Sequence, residues 1–298
     1  MDAHKFAFEQ IASQSSKFRN LTLVTATDGN HGRAVAWTAN RLGCHAVIYL
    51  PKGSSTIRLE AIRHYGAKAS IIEGNYDDAV KLAAKQSNEK GWILIQDTSW
   101  PGNEKIPINI MQGYITLLTE AFDQLDERWP SHIFVQAGVG SLAAALQAFL
   151  CNCHDKPRPF FTVVEPTEAP CFYKSMDIGN GKPHIVHGDL DTIMAGLACG
   201  EPSKIAWDIL SQNADAFIAC SDHVAIKGMR ILGNPLQGDE RVVSGESGAV
   251  TTGLVYEIMS NSRWNKLTEQ LGLGEDSRVL LISTEGDTDP EYYRKVVW

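Results

Sequence analysis

Two turns rich in glycine and small polar residues stand where the sequence passes from a β-rich run into a helical pattern. The asparagine turn, residues 27–32 with the sequence TDGNHG, follows an apolar run. The glycine turn, residues 138–142 with the sequence GVGSL, follows the run HIFVQ. Glycine lets backbone N–H groups approach an anion, and a helix N-terminus adds partial positive charge. Both turns therefore qualify as phosphate or carboxylate sites, although the asparagine turn alone better fits a plain helix cap with Asp28 or Asn30 as the N-cap.

The glycine turn also fits a second class of protein. Gly138, Gly140 and Ala143 match the G-x-G-x-x-A pattern of dinucleotide-binding proteins. Glu165 ends the next β-rich run, where an acidic residue would bind the ribose. That pattern normally opens its domain, whereas here four strand–helix units precede it, and the asparagine turn has no role in the scheme. A nicotinamide-dependent oxidoreductase therefore stays an alternative.

The elements that must position these turns alternate along almost the whole chain. Alternation of β-rich runs with helical patterns is typical of an α/β fold with mainly parallel sheets. Ser54 and Ser55 predict the start of one helix, and Gly66 predicts its end. The longest predicted loop covers residues 234–248, and such loops often carry functional residues. Eight strands are predicted, at residues 21–26, 45–50, 68–73, 92–96, 132–136, 160–165, 215–219 and 278–283.

Composition excludes several classes of protein. The chain has 298 residues, enough for two packed domains, and its net charge of -8 without a basic block argues against nucleic-acid binding. No apolar run approaches the roughly 20 residues of a membrane helix, so we expect a cytoplasmic protein. Six cysteines are too few for a disulfide scaffold. Cys151, Cys153 and His154 lack a second ligand pair at zinc spacing, so no metal site is expected.

Six segments, taken in order, resemble the fold-type II pyridoxal-phosphate enzymes, the superfamily of tryptophan synthase β and threonine dehydratase. The resemblance implies pyridoxal 5'-phosphate (PLP) as cofactor and two α/β domains with parallel-rich twisted sheets flanked by helices. It places the smaller domain at residues 20–118 and the larger at residues 1–19 and 119–298. Relatives are commonly homodimers that act on small amino acids. The segments are TATDGNHGRAVAW, GAKASIIEGNYDDAVKLA, LIQDTSW, QAGVGSLAAA, VSGESGAV and LLISTEGD.

The same resemblance assigns contacts to the cofactor. Asn30 would lie beside the 3-hydroxyl group of the pyridine ring, and the glycine turn would hold the phosphate. Ser283, with Thr284 as the second choice, would face the pyridine nitrogen. A neutral hydroxyl there leaves the nitrogen largely unprotonated, which suits a brief carbanion followed by β-elimination. The residues assigned in the glycine turn are Gly138, Val139, Gly140, Ser141 and Leu142.

Two aspartates indicate which family within the superfamily the chain resembles. Asp28 stands in the asparagine turn where many relatives carry serine or threonine, and Asp97 ends the run GWILIQD. In the diaminopropionate ammonia-lyase family, such aspartates are taken to remove the Cα proton from opposite stereoisomers of 2,3-diaminopropionate, giving pyruvate and two ammonia molecules. Carboxylates can do this if burial and neighbours raise their pKa. Glu246 would line the same cleft with a less certain role, and a serine or threonine dehydratase is the alternative enzyme.

The lysine that members of the superfamily join to the cofactor has no clear counterpart. It normally lies in an S-x-K-x-R-like segment, and here only Lys5 and Lys17 precede Asn30. Lys5 lacks the serine and arginine context, and Lys17 lies only 13 residues ahead of Asn30. We therefore expect a shortened N-terminus and little turnover. A remnant that binds PLP without turnover, or binds nothing, is the second hypothesis.

Overall fold

The chain forms two compact units, of which one ends at Gln96 and the other begins at Asp97. The computed structural model describes residues 10–11, 13–27, 29–125 and 128–298. Each unit contains one four-stranded parallel sheet with helices between its strands, which confirms the α/β class predicted from the sequence. The domain limits at residues 20 and 118 stay a prediction.

The sheet of the first unit has the strand order β3-β2-β1-β4. After β1 the chain moves outward to β2 and β3, and it then returns to the other side of β1 to form β4. The carboxyl ends of β1 and β4 therefore meet at a topological switch point, the usual place for ligands in open parallel sheets. The elements are β1 (Thr22–Ala26), α1 (Asn30–Leu42), β2 (His45–Leu50), α2 (Thr56–Arg63), β3 (Lys68–Ile71), α3 (Tyr76–Lys90) and β4 (Ile93–Leu94), after a 3-10 helix at Ser15–Lys17.

The sheet of the second unit repeats this pattern with the order β7-β6-β5-β8. Its switch point lies between β5 and β8. All eight predicted strands are thus confirmed, each within two residues at either end. The elements are α4 (Lys105–Leu125), β5 (His132–Gln136), α5 (Ser141–Cys151), β6 (Phe160–Pro166), α6 (Cys171–Ile178), α7 (Lys204–Asn213), β7 (Ala216–Cys220), α8 (Asp222–Gly233), α9 (Glu246–Ser260), α10 (Asn265–Leu271), β8 (Val279–Leu281) and α11 (Pro290–Val297), with 3-10 helices at Ala195–Leu197 and Ser262–Trp264.

Each sheet packs a hydrophobic core against its helices. In the first unit, Ile48 and Leu50 of β2 and Ile62 of α2 are almost completely buried. In the second, Phe161 of β6 and Leu146 of α5 are buried in the same way. Burying a side chain of this size stabilises the fold by roughly 1.5–3 kcal/mol. The strand ends that carry the candidate site are therefore held by well-packed sheets.

Local signals set the helix ends. In α3, Asn75 accepts a hydrogen bond from the N–H of Asp78, and the Asp78 carboxylate accepts one from the N–H of Asn75, which is a capping box. Gly91 ends α3 in the left-handed conformation, with a φ of 68°. The predicted helix start at Ser55 is confirmed, because its Oγ accepts a hydrogen bond from the N–H of Arg58.

The prediction of the longest loop was wrong. Residues 234–245 connect α8 and α9, but residues 179–203, between α6 and α7, form a longer segment that contains only a 3-10 helix. Met194 and Leu197 of this longer segment are buried in the core of the second unit. The segment is therefore packed against the second unit, although its backbone forms no longer helix or strand.

All six cysteines lie among the described residues and are present as thiols. Burial raises the pKa of the Cys220 thiol to about 12, so this thiol stays protonated at neutral pH. Over the described ranges, no helix combines the length and the apolar character needed to cross a membrane.

Candidate active site

The buried side chain of Thr27 holds the backbone of the asparagine turn by hydrogen bonds. Its Oγ1 accepts hydrogen bonds from the N–H groups of Gly29 and Gly32, each at 2.9 Å. A Cβ atom added at Gly32 would lie 2.2 Å from Cγ2 of Thr27, so this position requires glycine. Gly29 is the N-cap of α1, and Asn30 is its first residue. The N-cap of α1 is therefore Gly29 rather than Asn30. The acceptor for the N–H groups of Gly29 and Gly32 is the Thr27 hydroxyl.

Asn30 and Gly29 form the accessible part of this turn. Asn30 is exposed, and a Cβ atom added at Gly29 would meet nothing within 4 Å. The backbone at Gly29 therefore borders open space that a ligand can enter. Asp28, the candidate base of this turn, lies outside the described residues.

Gln96 ties the ends of β1 and β4 together, although sequence reasoning did not single it out. This buried amide accepts hydrogen bonds from Thr25 Oγ1 at 2.9 Å and from the N–H of Ala26 at 3.0 Å, and it donates one to the Tyr76 hydroxyl at 2.8 Å. His31 Nε2 lies 2.7 Å from the carbonyl oxygen of the residue before Gln96. A carbonyl only accepts, so His31 donates there as a structural histidine. The first switch point is therefore held by a buried polar network.

Packing, rather than a ligand alone, explains the glycines of the glycine turn. Gly140 has a φ of +89°, and a Cβ atom added there would lie 2.4 Å from Cζ of Phe172. A Cβ atom added at Gly138 would lie 2.9 Å from Sγ of Cys199. Neither position tolerates a side chain, so the turn has one tightly determined shape.

The first turn of α5 lacks a side-chain cap. Gly140, its N-cap, has no side chain to accept hydrogen bonds from the N–H groups that follow. Ser141 is only 2% exposed, so this helix start is shielded from bulk water. Buried N–H groups need acceptors, and an anion is the acceptor that a helix N-terminus favours.

Asp97 is fastened to the glycine turn. Ser141 Oγ donates a hydrogen bond of 2.7 Å to the main-chain oxygen of Asp97. The half-buried Asp97 also places its charge near Tyr114: burial first, and this charge second, raise the pKa of the Tyr114 hydroxyl. The structure thus brings together a candidate base and a candidate phosphate site, whose bonded residues Asp97 and Ser141 lie 44 positions apart in the sequence.

Two serines that sequence reasoning missed, Ser99 and Ser203, also bond to the segment that carries the glycine turn. Ser99 Oγ lies 2.8 Å from Ser203 Oγ and accepts a hydrogen bond from the N–H of Ile205 at 2.9 Å. The N–H of Ser203 in turn donates to the carbonyl of Val139, inside the glycine turn, at 3.0 Å. Ser99 and Ser203 lie 104 positions apart along the chain, so spacing alone carries no signal for them.

Ser283 lies at the edge of the second sheet and pairs with another serine. Its Oγ is 2.7 Å from Oγ of Ser244, which is fully buried. A Cβ atom added at Gly248 would lie within 2.8 Å of both hydroxyl oxygens, so the start of α9 packs against the segment after β8. Thr284, the second choice, is exposed, whereas Glu246 is buried.

The second switch point brings Ser283 and the glycine turn to the same sheet edge. β5 and β8 are adjacent parallel strands, with Phe134 opposite Leu281. Beyond that pair, Gln136 Nε2 donates a hydrogen bond of 2.9 Å to the carbonyl of Ile282. The glycine turn begins two residues after Gln136, and Ser283 follows Ile282 directly. Both candidate contacts therefore follow neighbouring strand ends, as the resemblance implies.

The donors at this edge fit PLP. The Ser247 hydroxyl is buried and has no hydrogen-bond partner among the described residues. Its oxygen would lie 3.2 Å from a Cβ atom added at Gly196. The carbonyl oxygen of Gly196 would in turn lie 3.0 Å from a Cβ atom added at Gly138, so Ser247 is close to the glycine turn. A buried donor and an uncapped helix start suit a phosphate, and the neutral Ser283 hydroxyl suits a pyridine nitrogen. The phosphate would be held by residues 138–142.

Glu165 does not have the role that the dinucleotide-binding alternative requires. It is fully buried, and its two carboxylate oxygens accept hydrogen bonds from the N–H groups of Phe172 at 2.8 Å and Tyr173 at 2.7 Å. Burial raises the pKa of Glu165 to about 7, against the opposing effect of these bonds. A side chain used in this way cannot bind a ribose, so the oxidoreductase interpretation was wrong.

Comparisons with known proteins agree with the geometry. The family described as pyridoxal-phosphate dependent enzymes matches residues 5–285. A diaminopropionate ammonia-lyase of Salmonella typhimurium is 51% identical over 286 residues, which cover 95% of this chain and 71% of that protein. The crystal structure of selenomethionine-incorporated holo diaminopropionate ammonia-lyase from Escherichia coli matches with a TM-score of 0.92 at 44% identity, covering 100% of this chain and 74% of that chain. The Escherichia coli enzyme in complex with D-serine has a TM-score of 0.91 at 43% identity, with the same shares covered. This chain therefore belongs to the pyridoxal-phosphate dependent enzymes and, within them, to the diaminopropionate ammonia-lyase family.

Proposed function

We propose that this protein converts 2,3-diaminopropionate to pyruvate and ammonia by PLP-dependent elimination. The observation that carries the proposal is the hydrogen bond from Ser141 to the main chain of Asp97. It holds a carboxylate residue beside the turn that would bind the cofactor phosphate. A base fixed relative to the cofactor is what removal of a Cα proton requires.

The residues divide the chemistry between them. When bound, PLP supplies an electron sink that makes the Cα–H bond of the amino acid acidic. Asp97 would accept the Cα proton of one stereoisomer on a carboxylate oxygen, and Asp28 would accept that of the other. The bond between Cβ and its nitrogen then breaks and releases one ammonia. Hydrolysis of the released unsaturated amine consumes one water and yields pyruvate and the second ammonia.

The other predicted residues bind rather than react. Backbone N–H groups of the glycine turn would hold the phosphate, and Asn30 would bind the ring hydroxyl. Ser283 would face the ring nitrogen as a neutral partner, with Thr284 as the second choice. A neutral partner limits electron withdrawal by the ring, which favours rapid elimination over longer-lived carbanions.

Lys17 is poorly placed to hold the cofactor. Its Nζ donates a hydrogen bond of 2.7 Å to Gln14 Oε1 on an exposed surface. The neighbouring Ser15 approaches Gly43, just ahead of β2, so this segment lies at the amino edge of the first sheet. Asn30 follows the carboxyl end of β1, roughly 16 Å away along a strand of five residues. Lys5 lies outside the described residues.

The decisive experiment measures pyruvate release by the recombinant chain with added PLP. We still expect low turnover, because neither Lys5 nor Lys17 has the sequence context of the cofactor-binding lysine. We expect 2,3-diaminopropionate of either stereochemistry to be consumed with a higher kcat/KM than serine or threonine. Faster consumption of serine or threonine would identify a dehydratase instead. PLP binding without turnover of any of these amino acids would support the non-catalytic alternative.

Borohydride reduction followed by peptide mapping identifies the amine that holds the cofactor. We expect no reduced adduct on Lys17, because of its position at the opposite sheet edge. An adduct on Lys5 would support the enzyme, and an adduct on Lys17 would contradict the assignment of the site to the carboxyl ends of the strands. We also propose that the protein is cytoplasmic and forms a homodimer. Light scattering during size-exclusion chromatography tests the homodimer, because it measures the mass of the particle.

A further inference from the structure

Among the described residues of the second unit, Glu165 is the most deeply buried carboxylate that the proposed reaction leaves unused. It lies near the end of β6 and has an exposed fraction of 0%. Burying a carboxylate is unfavourable unless strong hydrogen bonds satisfy it. The burial of Glu165 is therefore explained by the hydrogen-bond donors around its carboxyl group.

Those partners are at the first turn of α6. Oε1 of Glu165 accepts from the N–H of Phe172 and Oε2 from that of Tyr173, at 2.8 and 2.7 Å. The N-cap of α6 is Pro170, whose side chain has no acceptor. The Glu165 side chain thus supplies the acceptor oxygens that the cap residue lacks.

The same turn of α6 contacts the glycine turn at two points. Cys171 Sγ donates a hydrogen bond to the carbonyl of Gly138 at 3.8 Å. The ring of Phe172 fills the space beside Gly140, where a Cβ atom would lie 2.4 Å from Cζ. Cys171 and Phe172 are both fully buried, so neither contact can move without disturbing the core.

We propose that Glu165 is a positioning residue for the cofactor phosphate: it fixes the start of α6, and α6 fixes the shape of the glycine turn. This inference rests on the proposed function, because it assumes that residues 138–142 bind the phosphate. Glu165 itself touches neither cofactor nor substrate in this account. Its removal weakens phosphate binding by letting Phe172 and Cys171 shift.

Asp215 offers a matched control. Its carboxylate also accepts a backbone hydrogen bond, from the N–H of Phe161 at 2.8 Å, and it pairs with Arg158. It stands just ahead of β7 and bonds the start of β6, at the opposite end of the sheet from the glycine turn. Loss of this carboxylate should lower stability without changing phosphate binding.

The test compares the dissociation constants of PLP and of pyridoxal, which lacks the phosphate, by equilibrium dialysis. We expect Glu165→Leu to weaken PLP binding by roughly tenfold or more while pyridoxal binding stays within about twofold. Glu165→Gln, which keeps one acceptor oxygen, should lose less. Asp215→Asn should keep the wild-type ratio of the two constants even where its melting temperature falls.

The outcomes separate this inference from the proposed function. A wild-type protein that does not prefer PLP over pyridoxal would overturn the phosphate site itself. A wild-type preference that persists in folded Glu165→Leu would overturn the role of Glu165 alone. If Glu165→Leu does not fold, Glu165→Gln decides: an unchanged ratio contradicts the inference, and a reduced ratio supports it.

Discussion

The two sheets share one strand order, but the turns at their switch points are built in different ways. In the first unit, the Thr27 hydroxyl satisfies two N–H groups of the asparagine turn. In the second, the glycine turn has no side-chain cap, and the rings and thiols of neighbouring elements fix its shape. The first turn therefore offers a ligand mainly side chains such as Asn30, whereas the second offers backbone N–H groups. This difference suits a ring contact in one place and a phosphate contact in the other.

The largest expected effect concerns the carboxylate attached to the second turn. We expect Asp97→Asn to lower kcat for pyruvate formation from one of the two stereoisomers by roughly 10²- to 10⁴-fold, because an amide cannot accept the Cα proton. Asp208→Asn is the control, since Asp208 is exposed and paired with Lys204 on the surface of α7. A kcat for Asp97→Asn within threefold of wild type for both stereoisomers would remove Asp97 from the mechanism.

Substitution of one glycine in each turn tests the difference between them. We expect Gly140→Ala to lower the free energy of unfolding by roughly 2–5 kcal/mol, because it combines a positive φ with a clash against Phe172. Gly29→Ala should lower it by only about 0.5–1 kcal/mol, because the added methyl group meets open space and the main loss is that of glycine as the N-cap. Chemical denaturation measures both. Equal losses would show that the two turns are constrained alike.

The pH dependence of stability should come in part from Glu165, which supports the second turn. The pKa of this carboxyl is raised from 4.5 to about 7 by burial, so between these values the folded state binds more protons than the unfolded state. Its contribution to the free energy of unfolding therefore falls as pH rises from 4.5 to 7, by on the order of 3 kcal/mol. Glu165→Gln should remove this part of the slope. An unchanged slope in denaturation curves across this range would argue against a raised pKa.

A smaller effect is expected from the acceptor in the first turn. Thr27→Val keeps the shape of the side chain but leaves the N–H groups of Gly29 and Gly32 without their acceptor, at a cost of about 1–3 kcal/mol. Thr27→Ser, which keeps the hydroxyl, should recover most of this loss. Comparable losses in both variants would show that packing of the methyl group, rather than hydrogen bonding, holds the turn.

Much of this arrangement follows from local sequence. β-rich runs predicted all eight strands, and the order of elements predicted parallel sheets, so Asp97 and Ser283 were correctly placed after strand ends. The supporting residues were not predictable in the same way. Ser99 and Ser203 bond across 104 positions, and their importance depends on how the chain folds back. Glu165 matched a ribose-binding position by spacing, and only its burial and partners exclude that role.

The most direct test of the account is whether the glycine turn recognises a phosphate. We expect the wild-type protein to bind PLP at least about a hundredfold more tightly than pyridoxal, as two charge-assisted hydrogen bonds would provide. Leu142→Asp places a negative charge in the first turn of α5 and should remove most of this preference, whereas Leu117→Asp, on the exposed surface of α4, should retain it. Equal affinities for PLP and pyridoxal in the wild-type protein, or a full preference in Leu142→Asp, would contradict the account.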